Sequence, residues 1–146
     1  MKKPRSILIT GASSGIGAAL AEEYAAPGIS LALSGRHSKR LSRVAVHCRS
    51  AGAVVRTEIL DVSDLSAVEG WIKDADAVQP LDLVIANAGI SGGAAGQGES
   101  VDQARAIFRT NVDGVLNTIH AAVEQMRGRG HGQLAIISSL AAFRGY

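Results

Sequence analysis

Ser6-Ile7-Leu8-Ile9-Thr10-Gly11-Ala12-Ser13-Ser14-Gly15-Ile16-Gly17 is the stretch whose reading decides the fold. Residues 6 to 10 form a short β-rich run around the apolar Ile7-Leu8-Ile9, and it stops on Gly11, which predicts a short buried strand. Beyond it, Ile16, Leu20 and Tyr24 recur at helical spacing until Pro27-Gly28 ends them. A strand therefore becomes a helix across a turn that holds Gly11, Gly15 and Gly17 together with Thr10, Ser13 and Ser14. Glycine has no Cβ, so its backbone can take positive φ and lie directly against a ligand. The free N–H groups at the start of the helix then suit an anion such as a pyrophosphate. A plain strand-to-helix turn is the alternative, but it requires neither three glycines nor three hydroxyls.

The rest of the chain repeats this alternation. Ile29 to Leu33 reads as a second strand, and Leu41, Val44, Ala45 and Cys48 mark a second helix ending near Gly52. Cys48 stands on the apolar face and reads as a small core residue. Ala53 to Leu60 is a third strand. Leu65, Val68, Ile72 and Ala75 mark a third helix, with Trp71 beside them as a packing anchor. Leu81 to Ala86 is a fourth strand, and a glycine-rich stretch from Gly89 to Gly98 follows as a mobile site loop. A long helix opens at Ser100, with Gln103 at the spacing of a capping box. Its stripe is Val101, Ala104, Phe108, Val112, Val115, Ile119, Val123 and Met126, and it ends in Gly128-Arg129-Gly130. Leu134 to Ile137 is a fifth strand. Four helices linking five strands, each connection long enough for a parallel crossover, predict an α/β fold of Rossmann type. The expected architecture is a doubly wound parallel sheet of strand order 3-2-1-4-5, in one domain over residues 1–146.

Composition narrows the classes. Apolar residues make up 47% and charged residues 19%, which excludes a disordered chain. The net charge of +2 is too small and scattered to argue for nucleic acid, and Lys2, Lys3 and Arg5 read as a solvated tail. No apolar run approaches the roughly 20 residues of a membrane span, and no signal-peptide core follows the N-terminal lysines. One cysteine permits no intrachain disulfide. A cytoplasmic protein is the expectation. His37, His47, His120 and His131 have no metal-ligand spacing, so no metal is expected, although His37 falls near the glycine turn's pocket by sequence.

The glycine spacing, G-x-x-x-G-x-G rather than G-x-G-x-x-G, is specific. Thr10 to Gly17 resembles the TGxxxGIG signature of short-chain dehydrogenases/reductases, in the branch with subunits of about 250 residues. Four further motifs stand in the family's order: Asp61-Val62, Asn87-Ala88-Gly89, Asn111-Val112-Asp113-Gly114 and Ile137-Ser138-Ser139. The resemblance covers the whole chain, and it implies roles. Gly11, Ser13, Ser14, Gly15, Ile16 and Gly17 would bind the pyrophosphate. Asp61 and Val62 would lie at the adenine, although Asp61 could instead cap the next helix, a task that suits Ser63 or Asp64 better. Asn87 would brace the central strands, with Ala88 and Gly89 passing close to the cofactor ribose. Asn111 would distort its helix and hold a water of a proton relay, and Ser139 would polarise the substrate carbonyl.

Cofactor choice turns on the end of the second strand. An acidic residue there would bond the ribose 2′-hydroxyl and favour NAD. Ser34-Gly35-Arg36 stands there instead. No carboxylate in that segment repels a 2′-phosphate, and Arg36 can bind it through a bidentate guanidinium, with Ser13 or Ser14 adding a hydroxyl. The expected cofactor is NADP(H) in preference to NAD(H). The expected partners are a small carbonyl or alcohol substrate and further copies of the chain, as a homodimer or homotetramer, with the long helix contributing to the interface. The resemblance breaks near the end. Family members carry a tyrosine about a dozen residues after the serine and a lysine about four beyond it. Here Tyr146 follows Ser139 by seven residues and no lysine comes after it. The expectation is the N-terminal part of an NADP(H)-dependent oxidoreductase, inactive by itself. The alternative is a catalytically inactive NADP-binding module.

Overall fold

The computed structural model describes residues 3–92 and 100–139. Five strands, β1 (Ser6–Ile9), β2 (Ser30–Ser34), β3 (Val54–Glu58), β4 (Leu83–Ala86) and β5 (Gln133–Ile136), form one sheet of order β3-β2-β1-β4-β5. All four pairings are parallel, with Leu8 opposite Ala32 on one side and Val84 on the other. The fold is the Rossmann-type doubly wound sheet that the sequence predicts.

Side chains alternate across a strand, so each central strand feeds two cores. Ile7, Ile9, Leu31, Leu33, Leu83 and Ile85 join a cluster with Ala21 of α1 (Gly15–Tyr24) and Leu41, Val44, Ala45 and Cys48 of α2 (Ser38–Ser50). Leu8, Ala32 and Val84 point the other way. They meet Val68, Trp71, Ile72 and Ala75 of α3 (Leu65–Val78) and Ala121, Ala122 and Met126 of α5 (Gly114–Arg127). β1 is buried along its whole length, as a central parallel strand covered on both faces must be. Cys48 is fully buried, and that burial pushes its thiol above the ordinary value.

Three details differ from the sequence reading. In α1 the buried residues are Gly17 and Ala21, while Ile16 is 58% exposed. The helix must pack closely against the turn before it, and only its smallest residues allow this. In α3 the buried face is Val68, Trp71, Ile72 and Ala75, and Leu65 is exposed. The predicted long helix is two helices, α4 (Val101–Phe108) and α5, joined by a π-helical turn at Arg109–Asp113. A π-turn inserts an extra residue and rotates everything before it by roughly 100°. Of the predicted stripe only Met126 is buried, Val101 and Phe108 are each 67% exposed, and the buried face of α5 is instead Gly114, Thr118, Ala121, Ala122 and Met126. The α4 start carries half of the expected capping box, since Ser100 Oγ accepts from Gln103 N at 3.2 Å. Residues 93–98 of the expected glycine-rich loop lie outside the described residues.

Arg129 closes the far end of the sheet. Its guanidinium stands 2.9 Å from the Asp76 carboxylate and donates to Leu81 O at 2.7 Å, tying the end of α5 to the α3–β4 connection. Among the described residues β5 pairs only with β4, and Leu134 and Ile136 are exposed.

Candidate functional site

At the carboxyl ends of the strands lies a cleft of about 860 Å³. This is where open α/β sheets hold their ligands, beside the strand at which the order reverses. Gly11, Ser13, Ser14, Gly15 and Ile16 line it at the β1–α1 turn, Arg36, Asp61 and Val62 after β2 and β3, and Asn87, Ala88, Gly89 and Ser139 after β4 and β5, with Asn111 from the π-turn. One cleft thus gathers every predicted site residue except Gly17, which lies buried behind the turn.

The turn is shaped by its glycines. Gly11 and Gly15 take φ of +67° and +56°. A Cβ on Gly11 would stand 2.7 Å from Ala88 Cα, and one on Gly17 would stand 2.5 Å from Gly11 O and overlap Asn87 Nδ2. The strand ends, the turn and α1 therefore sit closer than any side chain would permit. Ser14 is the N-cap of α1 but makes no side-chain capping bond. The first-turn N–H groups are thus left without a side-chain acceptor from the cap, facing a cleft that suits phosphate oxygens.

Asn87 staples β4 to this turn. Its Nδ2 donates to Thr10 O at 2.9 Å and Gly11 O at 3.3 Å. The backbone N–H groups of Asn87 and Ala88 both donate to Thr10 Oγ1, at 3.1 and 3.2 Å. The π-turn is tied in by a second asparagine. Asn111 Nδ2 donates to Ile90 O and its Oδ1 accepts from Ile90 N, each at 2.9 Å. That paired bond fixes the segment after β4 against the π-turn, where a Cβ on Gly89 would make ordinary contact with Asn111 Oδ1 at 3.4 Å. Behind the same wall, Asn117 Nδ2 donates to the carbonyl of buried Val62, and Gly114 lets α5 approach the Val62 side chain.

The opposite end of the cleft holds an ion pair that the sequence does not announce. Asp61 Oδ2 is 3.6 Å from Arg36 Nη1, with the two side chains 41% and 48% exposed. Asp61 Oδ1 accepts from Ser63 N at 3.0 Å and Ser63 Oγ at 2.9 Å. The Ser63 N–H is the main reason the Asp61 carboxyl lies below the usual aspartate range. Burial opposes this, and the Ser63 hydroxyl and the Arg36 charge add to it. The N-cap of α3 is Asp64, which accepts from Ala67 N at 3.1 Å, so Asp61 is not the cap. Of the two serines suggested beside Arg36, Ser13 is the one packed on Gly35, where a Cβ would stand 3.2 Å from Ser13 Oγ. His37, the N-cap of α2, lines the cleft as well, as does Arg40 in the first turn of that helix, which the sequence does not single out. Ser138 and Ser139 lie exposed beyond the end of β5.

Comparison with known proteins agrees with this geometry. A family model described as short chain dehydrogenase matches residues 5–146. An uncharacterised oxidoreductase of Myxococcus xanthus is 39% identical over 142 residues, which are 97% of this chain and 56% of that protein. The structure of NAD+-bound xylitol dehydrogenase superposes with a TM-score of 0.91 at 27% identity, covering 97% of this chain and 55% of that one. An alcohol dehydrogenase of the archaeon Thermococcus sibiricus, complexed with 5-hydroxy-NADP, superposes at 0.86 with 30% identity, covering 97% and 61%. The chain spans little more than half the length of these relatives. Signature turn, strand order, cleft and family match agree, and the chain belongs to the short-chain dehydrogenase family.

Proposed function

We propose that residues 1–146 are the nucleotide-binding domain of an NADP(H)-dependent oxidoreductase that moves a hydride between the nicotinamide and a small carbonyl or alcohol substrate. The observation that carries this reading is a single cleft with a glycine turn, a guanidinium and a serine hydroxyl along its length. The cofactor, when bound, supplies or takes up the hydride. The residues of this chain bind and orient. N–H groups of the Gly11–Gly17 turn and the start of α1 hold the phosphates, Arg36 and Ser13 take the 2′-phosphate, and Asp61 and Val62 border the adenine. Asn87 keeps β1 and β4 at the spacing the turn needs, and Asn111 holds the Ile90 segment at the reacting end. Ser139 donates a hydrogen bond to the substrate oxygen.

Relatives hold either nicotinamide nucleotide, as the two solved structures illustrate, so this chain's own residues must decide the choice. Arg36 supports NADP(H). Replacing Arg36 with alanine removes a charge-assisted contact that only the phosphorylated nucleotide makes, and NADPH affinity is expected to fall about tenfold or more with NADH little changed. Titration calorimetry of both nucleotides checks this. Equal affinities in the unaltered chain, or an NADPH advantage that survives the substitution, would remove Arg36 from the site.

The same reading makes the exposed apolar residues of α4, the π-turn and α5 an interface with a second copy. Val101, Phe108, Val112 and Leu116 all stay exposed, which is costly for a surface without a partner. Phe108→Asp with Leu116→Asp is expected to dissociate a homodimer or homotetramer in sedimentation. A chain already monomeric at high concentration contradicts the interface. For location, no helix among the described residues is long and apolar enough to cross a membrane.

A further inference from the structure

The end of β2 carries no acid, but the end of the neighbouring strand does. β2 and β3 run side by side with Ser34 opposite Glu58, and the segments that leave them bring Arg36 and Asp61 to one wall of the cleft. The resulting pair is half in water, so it can open. The carboxylate, however, is not free to follow the arginine, because its other oxygen is held by the N–H and the hydroxyl of Ser63. A phosphate arriving at Arg36 must therefore draw the guanidinium away from a fixed anion or share it.

We propose that Asp61 tunes how strongly the site prefers a 2′-phosphorylated nucleotide, by competing with that phosphate for the Arg36 guanidinium. The inference rests on the reading that Arg36 faces the 2′-phosphate. It makes Asp61 a positioning residue that acts through Arg36, apart from any contact with the adenine. Adenine is common to NADPH and NADH, so a lost adenine contact weakens both alike and leaves their ratio unchanged. Loss of the competing charge strengthens NADPH alone.

The test is a cycle of Asp61→Asn, Arg36→Ala and the double substitution in the 146-residue chain, with Kd for NADPH and NADH measured by calorimetry. Asparagine keeps an oxygen for Ser63 and removes the charge, its other oxygen becoming an amide donor whose direct contact with a phosphate would not depend on Arg36. The NADPH preference is expected to rise about two- to fivefold in D61N, the range of an exposed ion pair. It is expected to be the same in the double substitution as in R36A. Ser63→Ala, which loosens the carboxylate, should shift the preference the same way by less. An unchanged or lowered preference in D61N, while R36A still lowers it, overturns the proposal. A rise in D61N that persists without Arg36 also overturns it, since Asp61 would then act on the phosphate directly. If R36A leaves the preference unchanged, the underlying reading of Arg36 has failed instead.

Discussion

Replacing Gly17 with alanine is expected to destabilise the fold by about 3 kcal/mol or more and to abolish NADPH binding. The new Cβ would stand 2.5 Å from the Gly11 carbonyl oxygen and overlap the Asn87 amide. Neither neighbour can yield cheaply. The carbonyl belongs to a turn whose Ala12 N–H bonds Ser34 O at 2.8 Å, and the Asn87 amide holds Thr10 O and Gly11 O. Relief would need α1 to move off the sheet, and the N–H groups at its start would move away from the cleft with it. Gly70 is the matching control. It lies exposed inside α3 with nothing within 4 Å of a Cβ, so alanine there should gain the roughly 1 kcal/mol of helix propensity that glycine forfeits. Urea unfolding of both variants followed by circular dichroism reads the contrast. A Gly17→Ala chain that unfolds at the unaltered midpoint and still binds NADPH would mean that the turn is not packed as described.

What the sequence made legible follows from local periodicity. Ile7 and Ile9 face one core and Leu8 the other, because strand side chains alternate, and the run of apolar residues in 6–9 already implies cover on both faces. The strand order follows from alternating elements with right-handed crossovers. Elements whose shape depends on distant partners were less legible. The π-turn at Arg109–Asp113 accompanies a paired bond between Asn111 and the backbone of Ile90, which helical periodicity cannot register. The stripe drawn straight through it joined Val101 and Phe108 to a core they do not reach. The cleft was read well through its glycines, because conformational freedom is written in the residue type. Its electrostatics were read less well. The absence of an acid beside Arg36 is true of the chain but not of space, since β3 brings Asp61 to it. That neighbour could have been inferred from the strand order itself.

The 146-residue chain is expected to bind NADPH and yet to reduce ketones at a rate at least about a hundredfold below that of an enzyme with a positioned acid. Hydride delivered to a carbonyl carbon leaves an alkoxide, and a proton must reach that oxygen. Ser139 can donate a hydrogen bond to it, but a serine hydroxyl is too weak an acid to surrender the proton. Asn111 uses its side-chain oxygen and nitrogen on Ile90 and has no acidic proton to give. Asp61 borders the Arg36 end of the cleft, and its carboxyl lies below the usual aspartate range, so near neutral pH it is ionised and carries no proton. Tyr24 packs partly buried against the core on α1. Tyr146 is the other tyrosine, outside the described residues, and it stands closer to Ser139 in sequence than the family spacing. An assay of the chain with NADPH against a panel of ketones and aldehydes, with Ser139→Ala and Tyr146→Phe in parallel, separates the possibilities. Binding without turnover in all three chains is the expected result. Turnover in the unaltered chain that Tyr146→Phe abolishes would place the acid at Tyr146 and make these residues a catalyst in their own right.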